Sequence, residues 1–288
     1  LLWKGVIKIV REFYLINEKG QEFSLMDIDK YCLLTDPEGL GISYETEFQR
    51  INNSYIKNKK VLEQGVIGGT LNFISYENYK SFCDFVTRAE SLKFKYKIPN
   101  NNNFYVYYRD VNFKSITKSE KKATLSEAVI FEALTLWYKE NNVNYNMSDA
   151  ENTIRWDFRW DSRFVDYEHR NTIVENKGHV DAPIFLEIEG YTENPSISIY
   201  RDDELLNKID FHVILEEGEK LQYCTQDNNL YIYKIGKNGE KNNLNNTLDL
   251  NNENNFFKIP IGVSVVKLTA DTDITKVKLT IYEQYIGV

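Results

Sequence analysis

The residues best suited to metal or acid–base chemistry are scarce and scattered in this 288-residue chain. Only three histidines occur, His169, His179 and His212, and none stands in an HExxH or comparable ligand spacing. Cys32, Cys83 and Cys224 are widely spaced and form no CxxC pair. That usage supports neither a disulfide framework nor a thiolate metal site, and it fits folding in a reducing compartment. No GxSxG nucleophile elbow and no GxxxxGK[ST] phosphate loop is present. Gly236-Lys237-Asn238-Gly239 imitates part of a phosphate loop but lies between strand-like runs, so it reads as a hairpin turn. Asp271 and Asp273 begin like a calcium loop whose glycine and remaining ligands are missing.

Paired carboxylates suit glycoside hydrolysis only when they face each other across a sugar, which closeness in sequence does not establish. Asp157 with Asp161 and the trio Glu216, Glu217 and Glu219 are such pairs, and the trio reads as a solvated turn around Gly218. Trp156-Asp157-Phe158-Arg159-Trp160 sets aromatic rings beside acids, as sugar-binding surfaces do. Trp156 and Trp160 are therefore candidate glycan contacts, although alternating large apolar residues also suit an ordinary first strand. The basic stretch Lys57, Lys59 and Lys60 is short and lacks interleaved aromatic residues, which argues against nucleic acid. The residues give no catalytic, cofactor-binding or metal-binding group. No enzyme is expected.

Any such residue must be positioned by elements that read mainly as β. Twenty tyrosines and 16 phenylalanines, with many Val, Ile and Thr, suit pleated, half-buried surfaces. Asparagine clusters at 100–103, 141–146 and 242–255 mark loops. The net charge of −8 is uneven: residues 1–140 hold 20 basic and 18 acidic side chains, whereas 141–288 hold 15 and 25. An acidic second half opposes binding to phosphate backbones. No apolar run reaches the ~18 residues that span a bilayer, and the N-terminal stretch lacks the pattern of a signal peptide.

Residues 6–16 and 22–25 predict an opening hairpin, and Asp36-Pro37-Glu38-Gly39 a turn. An extended excursion over 42–70 follows, with 46–68 as its reaching part. Tyr79, Phe82, Cys83, Val86 and Ala89 recur at helical pitch behind the N-cap candidate Ser75, predicting one helix over 76–90. Strands are expected near 92–98, 104–113 and 125–138, then a linker over 141–149. Beyond it, short strand-like runs separated by Gly, Asn, Asp or Pro predict an antiparallel sandwich; they include Ile184–Glu189, Ser196–Tyr200, Lys220–Cys224 and Phe256–Ile259. The expected domains are 1–145, an α+β domain with one helix, and 146–288, a β-sandwich.

Several short motifs in the second half follow one another in a definite order. Gly178 and Ala182-Pro183-Ile184 resemble a G-x-x-x-A/D-P-x-I/L stretch, and Asn194-Pro195 its NP-x-I sequel. Gly218-Glu219-Lys220-Leu221 is similar to a GE-x-L turn, and Asn255-Phe256-Phe257-Lys258-Ile259-Pro260-Ile261-Gly262 to an NFF-x-L-P-x-G segment. With Tyr282-Glu283-Gln284-Tyr285 as a final strand and the element order of the first half, nearly the whole chain resembles the bacteriophage distal tail protein family.

The resemblance implies a hexameric ring of N-terminal belt domains around a channel that continues the tail tube and passes DNA. It implies a galectin-like or carbohydrate-module-like C-terminal sandwich outside the ring. The expected partners are further copies of the chain, the tail tube protein, the tail-associated tip protein and receptor-binding or side baseplate proteins. DNA is met only in transit, and no membrane is entered. The expected location is the virion tail tip, after assembly in the host cytoplasm. Phe48, Arg50, Tyr55, Lys57, Lys59 and Val61, within the excursion, are the candidates for contact between copies. The chain lacks room for an inserted sugar-binding module, so adhesion would fall to partner proteins. The competing reading is a carbohydrate-binding sandwich that recognises a bacterial wall glycan.

Overall fold

The computed structural model describes residues 11–27, 32–100, 103–118, 120–121, 124–144, 170–247, 255–272 and 276–288. Trp156, Asp157, Trp160, Asp161, His169 and Asp273 lie outside them. The chain divides into two compact units, Leu1–Lys139 with Tyr285–Val288, and Glu140–Gln284. Both are predominantly β.

Unit 1 contains β1 (Glu12–Asn17), β2 (Glu22–Ser24), β3 (Met26–Asp27), β4 (Cys32–Glu38), β5 (Tyr44–Ile51), β6 (Ser54–Leu62) and β7 (Val66–Phe73). The helix α1 (Tyr76–Arg88), β8 (Leu92–Asn100), β9 (Asn103–Ile116), β10 (Glu120–Lys121), β11 (Thr124–Ala133) and the start of β12 (Trp137–Asn144) follow. Antiparallel pairing runs β4-β7-β11-β9-β8-β1. Leu25 draws the ends of this path together: its N–H donates to the Phe13 carbonyl and its carbonyl accepts from Leu34. The curled sheet encloses Phe13, Leu71, Phe94, Phe131 and Trp137, all essentially buried. The helix plugs this core. Ser75 accepts from the Asn78 N–H as N-cap, and Phe82 packs edge-on against Phe23 and Phe113.

Three details differ from the sequence reading. Residues 36–39 are no free turn: β4 runs to Glu38, and the irregularity between Thr35 and Glu38 is absorbed by Asp36 in a left-handed conformation (φ 49°). The single strand expected over 125–138 is two. Val129, Phe131 and Ala133 do share the buried face of β11, but Leu134 is exposed and the Thr135 hydroxyl accepts from the Asp110 N–H before β12 begins. The start of the expected linker is strand as far as Asn144, and Asn142 accepts a bond from the Thr280 hydroxyl.

Unit 2 holds β13 (Arg170–Asn176), β14 (Ile184–Glu189), β15 (Thr192–Glu193), β16 (Ser196–Arg201), β17 (Glu204–Asp210) and β18 (Ile214–Leu215). It continues with β19 (Lys220–Gln226), β20 (Asn229–Ile235), β21 (Lys241–Asn243), β22 (Gly262–Thr269) and β23 (Lys276–Tyr285). One antiparallel sheet runs β21-β20-β19-β14-β23, the other β13-β22-β16-β17. Ile184, Leu186 and Ile188 alternate inward from the first sheet, and Ile197, Ile199, Val266 and Leu268 from the second. A β-sandwich results. The expected strand Phe256–Ile259 is instead an extended crossing with one bridge, Ala182 to Ile259, while Phe257 is buried in the core.

Candidate functional site

The excursion in unit 1 is a long two-stranded ribbon. β5 and β6 pair with each other over Tyr44–Leu62 to Ile51–Ser54, in a sheet of their own. Asn52, in a left-handed conformation (φ 54°), turns the tip, which asparagine tolerates. All of β6 and all of β5 except Thr46 are exposed. Phe48 and Tyr55 are 61% and 69% exposed, and Ile51, Ile56 and Val61 are exposed as well. A solitary hairpin is marginal in water, and this one exposes large apolar side chains on both of its faces.

The register decides which residues act together. Partners across the ladder share a face, and the irregularity between Glu47 and Phe48 sets Lys57 opposite Phe48 by skipping Asn58. One face thus carries Tyr44, Phe48, Arg50, Tyr55, Lys57 and Lys60. The Lys60 ammonium sits 3.7 Å from the Tyr44 ring centre, a cation–π contact. The other face carries Glu45, Glu47, Ile51, Ile56, Lys59 and Val61. Of the sequence candidates, Phe48, Arg50, Tyr55 and Lys57 fall on the first face, and Lys59 and Val61 on the second. The basic stretch therefore does have aromatic neighbours, supplied by cross-strand register rather than by adjacency. Tyr44 was not singled out, and Lys60 was named only within the basic stretch, because the bulge that brings them into line with Phe48 and Lys57 has no local sequence signal.

At the root of the ribbon the Gly65 backbone lies over the Arg109 guanidinium, where an added Cβ would come within 2.2 Å of a terminal nitrogen. Arg109 donates from Nε to the Thr135 carbonyl and lies over the Trp137 ring. Burial lowers its pKa from the ordinary guanidinium value.

In unit 2 the motif residues make separate contacts, some buried and some exposed. Asn176 donates to the carbonyls of Val180 and Ile259, both at 3.0 Å, and accepts from the Gly178 N–H. Ala182 pairs with Ile259, and Pro183 accepts from Tyr282. Asn194, left-handed at φ 45°, donates to Asp271, and Pro195 accepts from Phe211. Phe256 stacks on Tyr223, Gly262 turns the chain at φ 97°, and Pro260 lies half-buried between them. These positions hold loops onto the sandwich.

The residues that imitate chemistry take structural parts. Gly236 to Gly239 is the turn between β20 and β21, closed by Gly236 N–H to Glu240. His179 and His212 are exposed, and no cluster of metal-ligating side chains occurs among the described residues. Burial pushes the Cys32 thiol up to about 12, so it is a poor nucleophile. Glu219 is held below the usual carboxylate range by the Lys234 ammonium at 2.7 Å and by the Glu216 N–H. Because its folded pKa is depressed, its contribution is full above the ordinary value of about 4.3 and is lost as pH falls through the folded value. Urea melts of wild type and Glu219→Gln should differ at neutral pH and converge in acid.

On the outer face of the first sheet of unit 2 lies a hollow of about 270 Å³. Asn142, Gln226, Asn229, Tyr231, Lys278 and Tyr282 line it, above Phe185 and Cys224. Amides, a cation and aromatic rings make it polar and amphipathic.

Comparison with known proteins bears on both units. Residues 12–134 match the family model of the distal tail protein N-terminal domain. The distal tail protein of Lactococcus phage SK1 is 25% identical over 146 residues, which cover 48% of this chain and 49% of that one. The chain thus aligns with about half the length of this curated relative. A chain of the phage p2 baseplate, solved in its activated conformation with strontium, superposes with a TM-score of 0.65 at 14% identity, covering 97% of this chain and all of that one. The Dit protein of phage SPP1, described as a paradigm of the hub adsorption apparatus, superposes at 0.57 with 10% identity, covering 94% and 98%. At such identities the superpositions speak for the fold alone. Residues 12–134 are thus similar to the N-terminal domain of bacteriophage distal tail proteins, and the fold as a whole is similar to that of phage baseplate hub proteins.

Proposed function

We propose that the chain is a structural hub of the phage tail tip, without enzymatic activity. Six copies close their N-terminal units into a ring around a channel through which DNA passes. The ring joins the tail tube protein to the tail-associated tip protein, and unit 2 offers a docking face to receptor-binding or side baseplate proteins. The hub is a virion component assembled in the host cytoplasm. The observation that carries this reading is the β5–β6 ribbon. It lies within the matched domain and exposes large apolar side chains on both faces. A closed ring covers such a ribbon in every copy.

Antibody raised against the chain should decorate purified virions at the tail tip; labelling of the head or along the tube would overturn the assignment. Phe48→Glu with Tyr55→Glu should leave the melting temperature within a degree or two, because neither side chain is buried, and should abolish ring formation in light scattering.

The hollow in unit 2 supports a second reading, recognition of a bacterial wall glycan. Its amides and tyrosine rings suit a saccharide. Titration with wall glycan fragments, followed by the amide signals of Asn142, Gln226 and Asn229, tests it; unchanged signals would reject binding at this hollow.

A further inference from the structure

The hollow of unit 2 has an apolar floor and a rim rich in hydrogen-bond donors, and strand register sets that plan. Thr280, Phe185, Cys224 and Tyr231 stand opposite one another on β23, β14, β19 and β20 and make one row across the sheet. Phe185 and Cys224 form the floor at the middle of the row. Gln226 and Asn229 pair one row to one side, and Lys278 stands one row to the other. Asn142 lies beside Thr280, whose hydroxyl donates to its Oδ1 at 2.8 Å.

The rim offers donors because its amide acceptors are already engaged. The Asn142 oxygen accepts from Thr280, and the Gln226 oxygen accepts from the Cys224 thiol, Sγ to Oε1 3.8 Å. Each amide is left with its NH2 group for a ligand. The exposed Lys278 ammonium makes no ion pair among the described residues. Its register partner Glu187 is held instead by Gln222 at 2.7 Å and Lys220 at 3.4 Å. Burial pushes the Tyr231 hydroxyl up to about 12, so it keeps its proton at neutral pH. Glu140 is the single carboxylate of the lining.

A neutral sugar hydroxyl donates as well as accepts, whereas phosphate and carboxylate oxygens only accept, in bonds roughly twice as strong. We infer that the hollow recognises an anionic saccharide, its phosphate or carboxylate held by Lys278 and the Asn142 NH2 group and its ring lying over Phe185. The inference rests on the glycan reading and names the class of sugar. The acidic surplus of residues 141–288 opposes it only from a distance. At physiological ionic strength the screening length is about 8 Å, so the groups lining the hollow decide.

The test titrates the full chain with glucose, glucose 6-phosphate, glucuronate and inorganic phosphate, followed by calorimetry and ligand-observed saturation-transfer NMR. Glucose 6-phosphate or glucuronate should bind on the order of tenfold more tightly than glucose, and the tighter of the two separates phosphate from carboxylate recognition. Lys278→Gln should remove most of that margin. Asn142→Asp, which keeps the acceptor for Thr280 and replaces the NH2 group by a carboxylate oxygen, should remove it as well. Both positions are exposed, so the melting temperatures should match wild type. Glucose binding as tightly as both charged sugars would overturn the anionic class and leave the glycan reading standing. Inorganic phosphate binding as tightly as glucose 6-phosphate would overturn the saccharide part. A margin unchanged in Lys278→Gln would overturn the assignment to this hollow, and no binding by any sugar would overturn both readings.

Discussion

Gly39→Ala should destabilise unit 1 by about 3–5 kcal/mol. Two independent obstacles meet at this position. The backbone stands at φ 76°, where a side chain is strained. A Cβ would also fall 1.6 Å from the Val66 carbonyl oxygen and 2.7 Å from its carbon. Both atoms are backbone at the start of β7, so no rotamer change relieves the clash. The chain must part where β4 meets β7, through the pairing of Glu38 with Gly68. Urea melts should show the loss, and hydrogen exchange should place it in β4 and β7. Gly20→Ala is the control: φ is similar at 73° but nothing lies within 4 Å, so its cost should be near 1 kcal/mol. Equal costs for the two would show that crowding contributes nothing at Gly39.

Asn176→Ala should cost unit 2 about 3 kcal/mol. Its side chain is 1% exposed and makes three hydrogen bonds, donating to Val180 and Ile259 and accepting from Gly178. Alanine leaves these backbone groups buried without replacements, although Ile259 keeps its bond from Ala182. Asn176→Asp should cost as much or more. It retains the acceptor for Gly178 but sets a carboxylate oxygen against two carbonyls. The aspartate variant should recover stability as pH falls and the carboxyl becomes a donor, whereas the alanine variant should not. Thermal melts of both variants at pH 7 and near pH 4 check this, and parallel pH profiles would contradict it.

What was legible in the sequence was local. The helix was readable because Ser75 and the Tyr79, Phe82, Val86 spacing act within a few turns, and both act in the structure. The sandwich strands were readable from alternation, as in Ile184, Leu186 and Ile188. Misreadings occur where distant partners decide. Residues 141–144 look like linker until Thr280, far along the chain, bonds Asn142. Phe256–Ile259 has strand composition, yet Phe257 is drawn into the core and only Ile259 bridges. The break at 134–136 was hidden because a two-residue period carries Ala133 onto Trp137 in number, while Thr135 turns to Asp110. The ribbon itself was legible as an excursion. Its two chemical faces were not, since the skipped Asn58 shifts which lysines join the aromatic side.

The central claim, that this chain builds a tail-tip ring, is tested most directly by its mass in solution. Light scattering over a concentration series, followed by negative-stain imaging, should give a species near six times 33.9 kDa with a central hole. A chain that stays at 33.9 kDa at every concentration, and forms no ring when tail tube protein is added, would contradict the account.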